Sequence, residues 1–258
     1  MLQQIRRVGQ HAAIYAMYRQ ELLDEMLVER LGEYRWDADH QARRLLFSSD
    51  RGEVAATSHL LASIAARPAS LLWGFAEPFA PYVGPEPLAD RIRRLGEQHG
   101  LDELTRQEVE YELAPEEDQA EGIALMAHDV GMLGVEFFGP DKVYYTFPTG
   151  GGSRQVLLLE GLSAPVPEVT IDGLFPRLAR YLMGVDDIAW SLEGLVRLLP
   201  GWRFEQIAAS PQAQRLRVID AEGASFSVAI TRDAQGRVSD IGLQGVDRPG
   251  RPASGEGG

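Results

Sequence analysis

The stretch YRWDADHQARRLLFSSDRGEVAATSHLLASIAARPASLLWGF, residues 34–75, decides the fold, because apolar side chains alternate along it with period two. Turn sequences interrupt the alternation at 40–43, 50–53 and 66–70. These connections suit hairpins, whereas a parallel crossover needs about a dozen residues or more. The pattern therefore predicts an antiparallel meander of four strands. Its longest strand carries the alternating positions Val54, Ala56, Ser58, Leu60, Ala62 and Ile64.

Helical periodicity flanks the meander on both sides, and two further strands follow it. The first helix ends at Gly32, a residue type suited to helix termination. Together these elements predict an α+β core domain over residues 1–163, an antiparallel sheet meander covered by helices. The helices are expected at 3–31, about 87–99 and about 115–133, and the two further strands at about 135–147 and 154–160.

A smaller α+β region is predicted at 168–246, beyond the Pro-containing linker 164–167. It comprises a helical pair, at about 174–183 and 187–199 with Asp186 as the N-cap of the second helix, and a four-stranded antiparallel sheet. Residues 247–258 are rich in Gly, Pro and Ser and are predicted to be a disordered tail.

Composition excludes several classes of protein. The 258 residues include no Cys, which excludes disulfides, thiolate zinc sites and cysteine nucleophiles. The five His residues are scattered, so we expect no metal, and nothing in the sequence indicates a cofactor. The apolar runs are short and the N-terminus lacks a secretory signal pattern, so we expect a soluble, cytoplasmic protein that spans no membrane.

Negative charge is concentrated in one stretch of the chain. Residues 101–121 carry nine acids against one Arg, so −8 of the net charge of −13 falls in 21 residues. Such a strip repels nucleic acid and anionic membranes, and it could attract a basic protein partner. The alternative is a solvated connection with no partner. Either way we expect most of these carboxylates to be exposed, with Glu108, Glu110 and Glu112 at the centre of the strip.

Several short motifs occur in a fixed order along the chain. They are Arg19-Gln20-Glu21 in the first helix, a WxxD…LxF hairpin formed by Trp36, Asp39, Leu45 and Phe47, the strand Trp73-Gly74-Phe75-Ala76-Glu77-Pro78, the helix end Leu95-Gly96-Glu97-Gln98-His99-Gly100 with Asp102-Glu103-Leu104-Thr105 after it, and Phe175-Pro176.

With these motifs the chain, over about 13–236, resembles an uncharacterised bacterial family, common in actinobacteria and catalogued only as a domain of unknown function. The family motifs read WxWxxANP and LGEEHG at the third and fourth of these places. Here Phe75 replaces the second Trp and Glu77 replaces the Asn. The resemblance implies the layout above and a bacterial, cytoplasmic setting, and it implies no reaction, ligand or catalytic residue.

Five residues are candidates for a binding site, and no established catalytic signature is present. Trp73 and Phe75 lie two apart on one strand face and could form either an aromatic wall of a pocket or part of the core. His99 shares a helical stripe with Leu88, Ile92 and Leu95, which predicts a position at the buried edge. His99 could act as a general base or ligand next to Glu97 and Asp102, or it could be a helix cap or a satisfied residue at the core edge. Glu77 is a further candidate residue of the same pocket.

Two functions from different classes follow from these features. The first is a non-enzymatic protein-binding or regulatory module that uses the acidic strip. The alternative is a small-molecule-binding protein or enzyme with a pocket near Trp73, Glu77 and His99, where a general base would need a second polar group within reach.

Overall fold

The computed structural model describes residues 2–84, 87–112 and 119–249. The chain divides into two compact units, Met1–Pro167 and Glu168–Gly258. The first unit holds a seven-stranded antiparallel sheet curved into a half-barrel, and the second holds a helical pair and a four-stranded antiparallel sheet. The predicted α+β fold class is therefore confirmed. None of the helices in the described ranges is long and apolar enough to cross a membrane.

The predicted meander forms the body of the seven-stranded sheet. The strands are β1 Arg35–Asp39, β2 Arg44–Ser49, β3 Gly52–Ala65, β4 Ser70–Trp73, β5 Glu108–Glu110, β6 Val143–Gly150 and β7 Ser153–Glu160. Strand β3 is its longest member and pairs with β2, β4 and β7, while β5 and β1 lie at the two ends of the main path. Along β3 the predicted positions Val54, Ala56 and Ser58 are buried, and their neighbours are more exposed.

Two long helices pack on this sheet and on each other. The helices of the unit are α1 Gln3–Leu31, α2 Ala80–Val83, α3 Leu88–His99, α4 Asp102–Thr105 and α5 Gln119–Phe138. Glycines allow α5 to approach its neighbours, since a Cβ on Gly131 would lie 2.3 Å from the Tyr144 ring. A Cβ on Gly9 of α1 would lie 2.6 Å from the Asp129 carbonyl oxygen. The first helix was predicted with the same bounds.

Apolar side chains of the second half of α1 and of the sheet form one buried cluster. Leu23 and Leu27 of α1 meet Phe47, Leu157 and other sheet residues there, and each of these four is fully buried. Burial of one such side chain contributes about 1.5–3 kcal/mol relative to exposure. Trp36 packs against the Phe147 ring of this cluster, and the two ring centroids are 4.3 Å apart.

The expected helix end at about 133 and the expected strand start at about 135 are both wrong. Gly134 lies inside α5, where a Cβ would come within 2.5 Å of a Leu61 methyl, so this glycine serves packing. The helix ends at Gly139, whose φ of +98° suits glycine. Strand β6 starts only at Val143, and the predicted helix start at 115–118 lies outside the described residues.

The second unit follows the predicted order of two helices and four strands. Its elements are α6 Ile171–Met183, α7 Ile188–Leu198, β8 Arg203–Ala209, β9 Ala213–Ile219, β10 Ser225–Arg232 and β11 Val238–Asp247. Asp187, and not the predicted Asp186, caps α7 by accepting a hydrogen bond from the Trp190 N–H at 3.1 Å. Asp247 still belongs to β11, and residues 250–258 of the predicted tail lie outside the described ranges.

Candidate functional site

Strand β5, which pattern analysis missed, runs through the middle of the acidic strip. It pairs with β4 in antiparallel register, with Glu110 opposite Ser70 and Glu108 opposite Leu72. No strand in the described part of the chain pairs with the other side of β5. An open strand edge presents unpaired main-chain donors and acceptors.

The local sequence fixes which side chains of this strand face solvent. Val109 and Tyr111 are buried, and the Tyr111 hydroxyl donates a hydrogen bond to the Ala65 carbonyl at 2.7 Å. Burial raises the pKa of the Tyr111 hydroxyl above its usual 10.0. Because side chains alternate along an extended chain, Glu108, Glu110 and Glu112 share the opposite face, and all three are exposed.

The three glutamates line a groove of about 800 Å³, which we call the acidic groove. Its other walls include Leu2 from the start of α1, Pro68 and Ser70. The groove combines three carboxylates with a sheet edge, so its chemistry suits cationic groups carried on an extended chain.

One acidic residue of the strip, Glu103, is partly buried. Its Oε2 atom accepts hydrogen bonds from the main-chain N–H groups of Gln4 at 2.8 Å and Ile5 at 3.0 Å. Carboxylates are stabilising at a helix N-terminus because the first N–H groups have no partner within the helix. The partly buried Glu103 therefore holds the start of α1. Asp102 and Glu121 are exposed as expected, and 116–118 lie outside the described residues.

Trp73 belongs to the core, the second of the two interpretations that the sequence left open. Its side chain is fully buried, and its indole N–H donates a hydrogen bond to the Glu103 carbonyl at 2.8 Å. The Phe75 ring stacks on it, with centroids 6.2 Å apart and planes 9° apart, and is half-buried. The indole N–H of Trp73 is thus already paired within the protein.

The expected buried-edge position of His99 is wrong. The inward face of α3 carries Ala89, Ile92 and Gly96, and His99 is exposed at the last helical residue. A Cβ on Gly96 would lie 2.7 Å from the Leu104 Cβ, so the small residues face inward because α3 approaches α4 closely.

The two candidate acids beside it are also exposed. Glu97 accepts a hydrogen bond from Arg93 at 2.7 Å, and the Glu77 main-chain N–H donates to the Gln107 side chain at 3.0 Å. No hydrogen bond or ion pair in the described part of the chain joins Glu77, Glu97 and His99 to one another.

A second polar cluster was not foreseen from the sequence. The His59 Nε2 atom lies 3.0 Å from Glu160 Oε1, and the other Glu160 oxygen lies 3.1 Å from the Nζ of Lys142, the one Lys in the sequence. The hydrogen bond from His59 and the ammonium of Lys142 lower the pKa of Glu160 below its usual 4.5. The available signal was the isolation of Lys142 among 24 Arg residues.

This cluster lies beside a cavity of about 10 Å³ lined by His40, Ser58 and His59, which has room for about one water molecule. The cavity beside this cluster is therefore too small for a substrate. Among the residues that the structure describes, no group of His, Asp and Glu side chains could hold a metal ion.

The fold and the acidic groove define an α+β protein with an open, acidic sheet edge among its described residues. A family model described as a family of unknown function, DUF6882, matches residues 6–162. The match covers more than half of the 258 residues, and the chain belongs to this family. The predicted resemblance to a family of unknown function is thereby confirmed. No curated protein and no solved structure matches.

Proposed function

We propose that the protein is a non-enzymatic protein-binding or regulatory module that receives a basic segment of a partner protein in the acidic groove. The observation that carries this proposal is the alignment of Glu108, Glu110 and Glu112 on one exposed face beside an open strand edge. The setting is the bacterial cytoplasm that the family resemblance implies.

Electrostatics favour a basic protein over the other macromolecular partners. Nucleic acids and anionic membranes carry negative charge, and proteins bind them through Lys and Arg rather than through carboxylates. A positively charged segment gains attraction from three carboxylates at once, and the field of the strip steers its approach.

The enzyme or small-molecule alternative receives less support from the same structure. Trp73 is fully buried with its indole N–H engaged, so it presents no surface to a ligand. Glu77 and His99 are exposed and share no hydrogen bond among the described residues. A general acid–base pair needs two groups within about 3 Å of a reacting atom, and these residues offer no such pair.

The proposal is tested with fluorescently labelled heptapeptides that carry three basic residues and the full-length protein. Binding is measured by fluorescence anisotropy in low-salt buffer for the wild type and for the triple variant Glu108→Gln, Glu110→Gln and Glu112→Gln. We expect the triple variant to bind at least about tenfold more weakly, since three exposed ion pairs contribute about 0.5 kcal/mol each.

A matched control carries the same change in net charge away from the groove. The substitutions Glu29→Gln, Glu33→Gln and Glu53→Gln affect exposed carboxylates and also raise the net charge from −13 by three, to −10. We expect this control to bind like the wild type. Equal weakening in both variants would show a non-specific charge effect, and the absence of binding to any basic peptide would refute the proposal.

A further inference from the structure

We infer that the partner segment binds as an added β-strand along β5, with basic side chains at every second position. This inference rests on the proposed function, and it specifies the conformation and the spacing of the occupant. It follows from the main-chain geometry of β5, from the phase of the glutamates and from the position of Ser70 in the groove, directly across from Glu110.

The main-chain groups of β5 alternate between its partner strand and the open side. The Tyr111 N–H donates to the Ala69 carbonyl at 3.2 Å, and the Gln107 carbonyl accepts from the Trp73 N–H at 3.0 Å. The odd-numbered residues therefore turn their main-chain groups toward β4. In an antiparallel ladder the even-numbered neighbours Glu108 and Glu110 turn theirs the other way, toward an incoming strand.

The side chains of the same residues impose a spacing on the occupant. Glu108, Glu110 and Glu112 recur with period two and project from one face of the sheet. Residues of an added strand that project from this face also recur with period two. Opposite charges directly across adjacent strands are stabilising, so the occupant should carry Lys or Arg at alternate positions.

Ser70 provides an independent indication of a ligand. Its residue is 2% exposed, it lines the acidic groove, and it lies directly across from Glu110 in β4. Its hydroxyl has no hydrogen-bond partner among the described residues. The hydroxyl oxygen is therefore available to accept a hydrogen bond from a long cationic side chain that crosses Glu110. The planar, forked Arg side chain can reach the carboxylate and the hydroxyl together, whereas Lys offers a single charged centre.

The charges on the groove argue against a second copy of this chain as the occupant. Two copies paired through β5 would place three glutamates against three glutamates, and like charges across adjacent strands are destabilising. Charged side chains on an edge strand are a known device against self-association. A basic segment of another protein satisfies the same edge without that repulsion.

The experiment compares two labelled heptapeptides of identical composition on the full-length protein. One has the alternating sequence Gly-Lys-Thr-Arg-Thr-Lys-Gly, and the other has the block sequence Gly-Thr-Lys-Arg-Lys-Thr-Gly. We expect the alternating peptide to bind at least about fivefold more tightly, the equivalent of one ordinary hydrogen bond. Glu108→Gln, Glu110→Gln and Glu112→Gln should weaken the binding of both peptides.

Two refinements test the main-chain contacts and Ser70. In an added strand, the main-chain N–H groups of the alternating peptide form two alternating sets, and only one set faces β5. Methylation of the amide nitrogens in that set should abolish binding, whereas methylation of the other set should leave binding intact. Replacing the central Arg of the peptide by Lys should weaken its binding to the wild-type protein about fivefold. The same replacement should not change the binding of the peptide to the Ser70→Ala variant. Circular dichroism verifies that this variant is folded.

The outcomes separate this inference from the proposed function. If neither peptide binds, the proposed function itself is wrong. If both peptides bind equally, both lose binding in the glutamine triple variant and neither methylated set has an effect, the acidic groove binds basic segments but strand addition is refuted. An unchanged Arg preference in Ser70→Ala refutes the role of Ser70 alone.

Discussion

Glu103 and Gln4 exchange hydrogen bonds across 99 positions of the chain: the Gln4 main-chain N–H donates to the Glu103 carboxylate at 2.8 Å, and the Glu103 main-chain N–H donates to the Gln4 side-chain oxygen at 3.0 Å. No side chain of the preceding residue Leu2 caps α1. Glu103 therefore performs the capping role from a distant segment, and it ties the first helix to the chain that leads into β5.

Removal of this distant cap should destabilise the protein. We expect Glu103→Ala to lower the free energy of unfolding by about 1–2 kcal/mol, because two N–H groups at the start of α1 lose their acceptor. The measurement is urea unfolding followed by circular dichroism. Asp102→Ala is the matched control, since the Asp102 side chain is 77% exposed and should contribute less than about 0.5 kcal/mol. Equal losses in the two variants would contradict the capping role.

Close packing at Gly131 makes a second prediction. An Ala side chain would overlap the Tyr144 ring, which is fully buried and hydrogen-bonded to His128 at 3.0 Å. We expect Gly131→Ala to lower the free energy of unfolding by about 1–3 kcal/mol, although Ala is the better helix former. Leu125→Ala, at an exposed position of the same helix, should change it by less than about 0.5 kcal/mol. Stabilisation by Gly131→Ala would disprove the contact.

The cluster around Glu160 predicts a dependence of stability on pH. The pKa of Glu160 is lowered in the folded protein, so its contribution is present above its usual value of 4.5 and is lost as the pH falls through the lower native pKa. We expect Glu160→Gln to reduce the free energy of unfolding at neutral pH by less than about 1 kcal/mol, because the side chain is 38% exposed. Urea unfolding at several pH values should show the difference vanish in acid, and Glu53→Gln should show no such trend. A difference that persists at low pH would exclude this electrostatic origin.

Charge reversal in the acidic groove should act on the rate of association. We expect Glu108→Lys, Glu110→Lys and Glu112→Lys to slow the association of a basic peptide at low salt, with a smaller effect at physiological salt, where the screening length is about 8 Å. Stopped-flow fluorescence measures the rate, and the free energy of unfolding should change little. Reversal of Glu29, Glu33 and Glu53 is the control. An association rate that ignores both salt and substitution would contradict steering by the groove.

Local periodicity was sufficient to predict the main elements of the fold. The alternation along β3 and the apolar stripe of α1 each reflect one buried face, so they are readable within a single segment. Strand β5 has only three residues, too few for a pattern, and it becomes a strand because Ser70–Leu72 offers it a partner. Its pairing is a tertiary effect that no local sequence signal carries.

The candidate binding residues also divide into those that a local sequence pattern can predict and those that depend on distant neighbours. The prediction for His99 failed because the sequence does not reveal how closely α3 approaches α4. The inward face runs through Ile92 and Gly96, and His99 lies outside it. Glu108, Glu110 and Glu112 could be selected from their charge, whereas Ser70 and Glu103 could not. Their roles depend on neighbours 40 and 99 positions away in sequence.

The boundary at Pro167 has a consequence for how this protein can be rebuilt. The family match ends at residue 162, within a few residues of that boundary, and every residue that lines the acidic groove lies between Leu2 and Glu112. Recombination after Pro167 would transfer the whole groove, together with the sheet that supports it, to a new chain. A break in the chain at this point would therefore separate none of the groove-lining residues from one another.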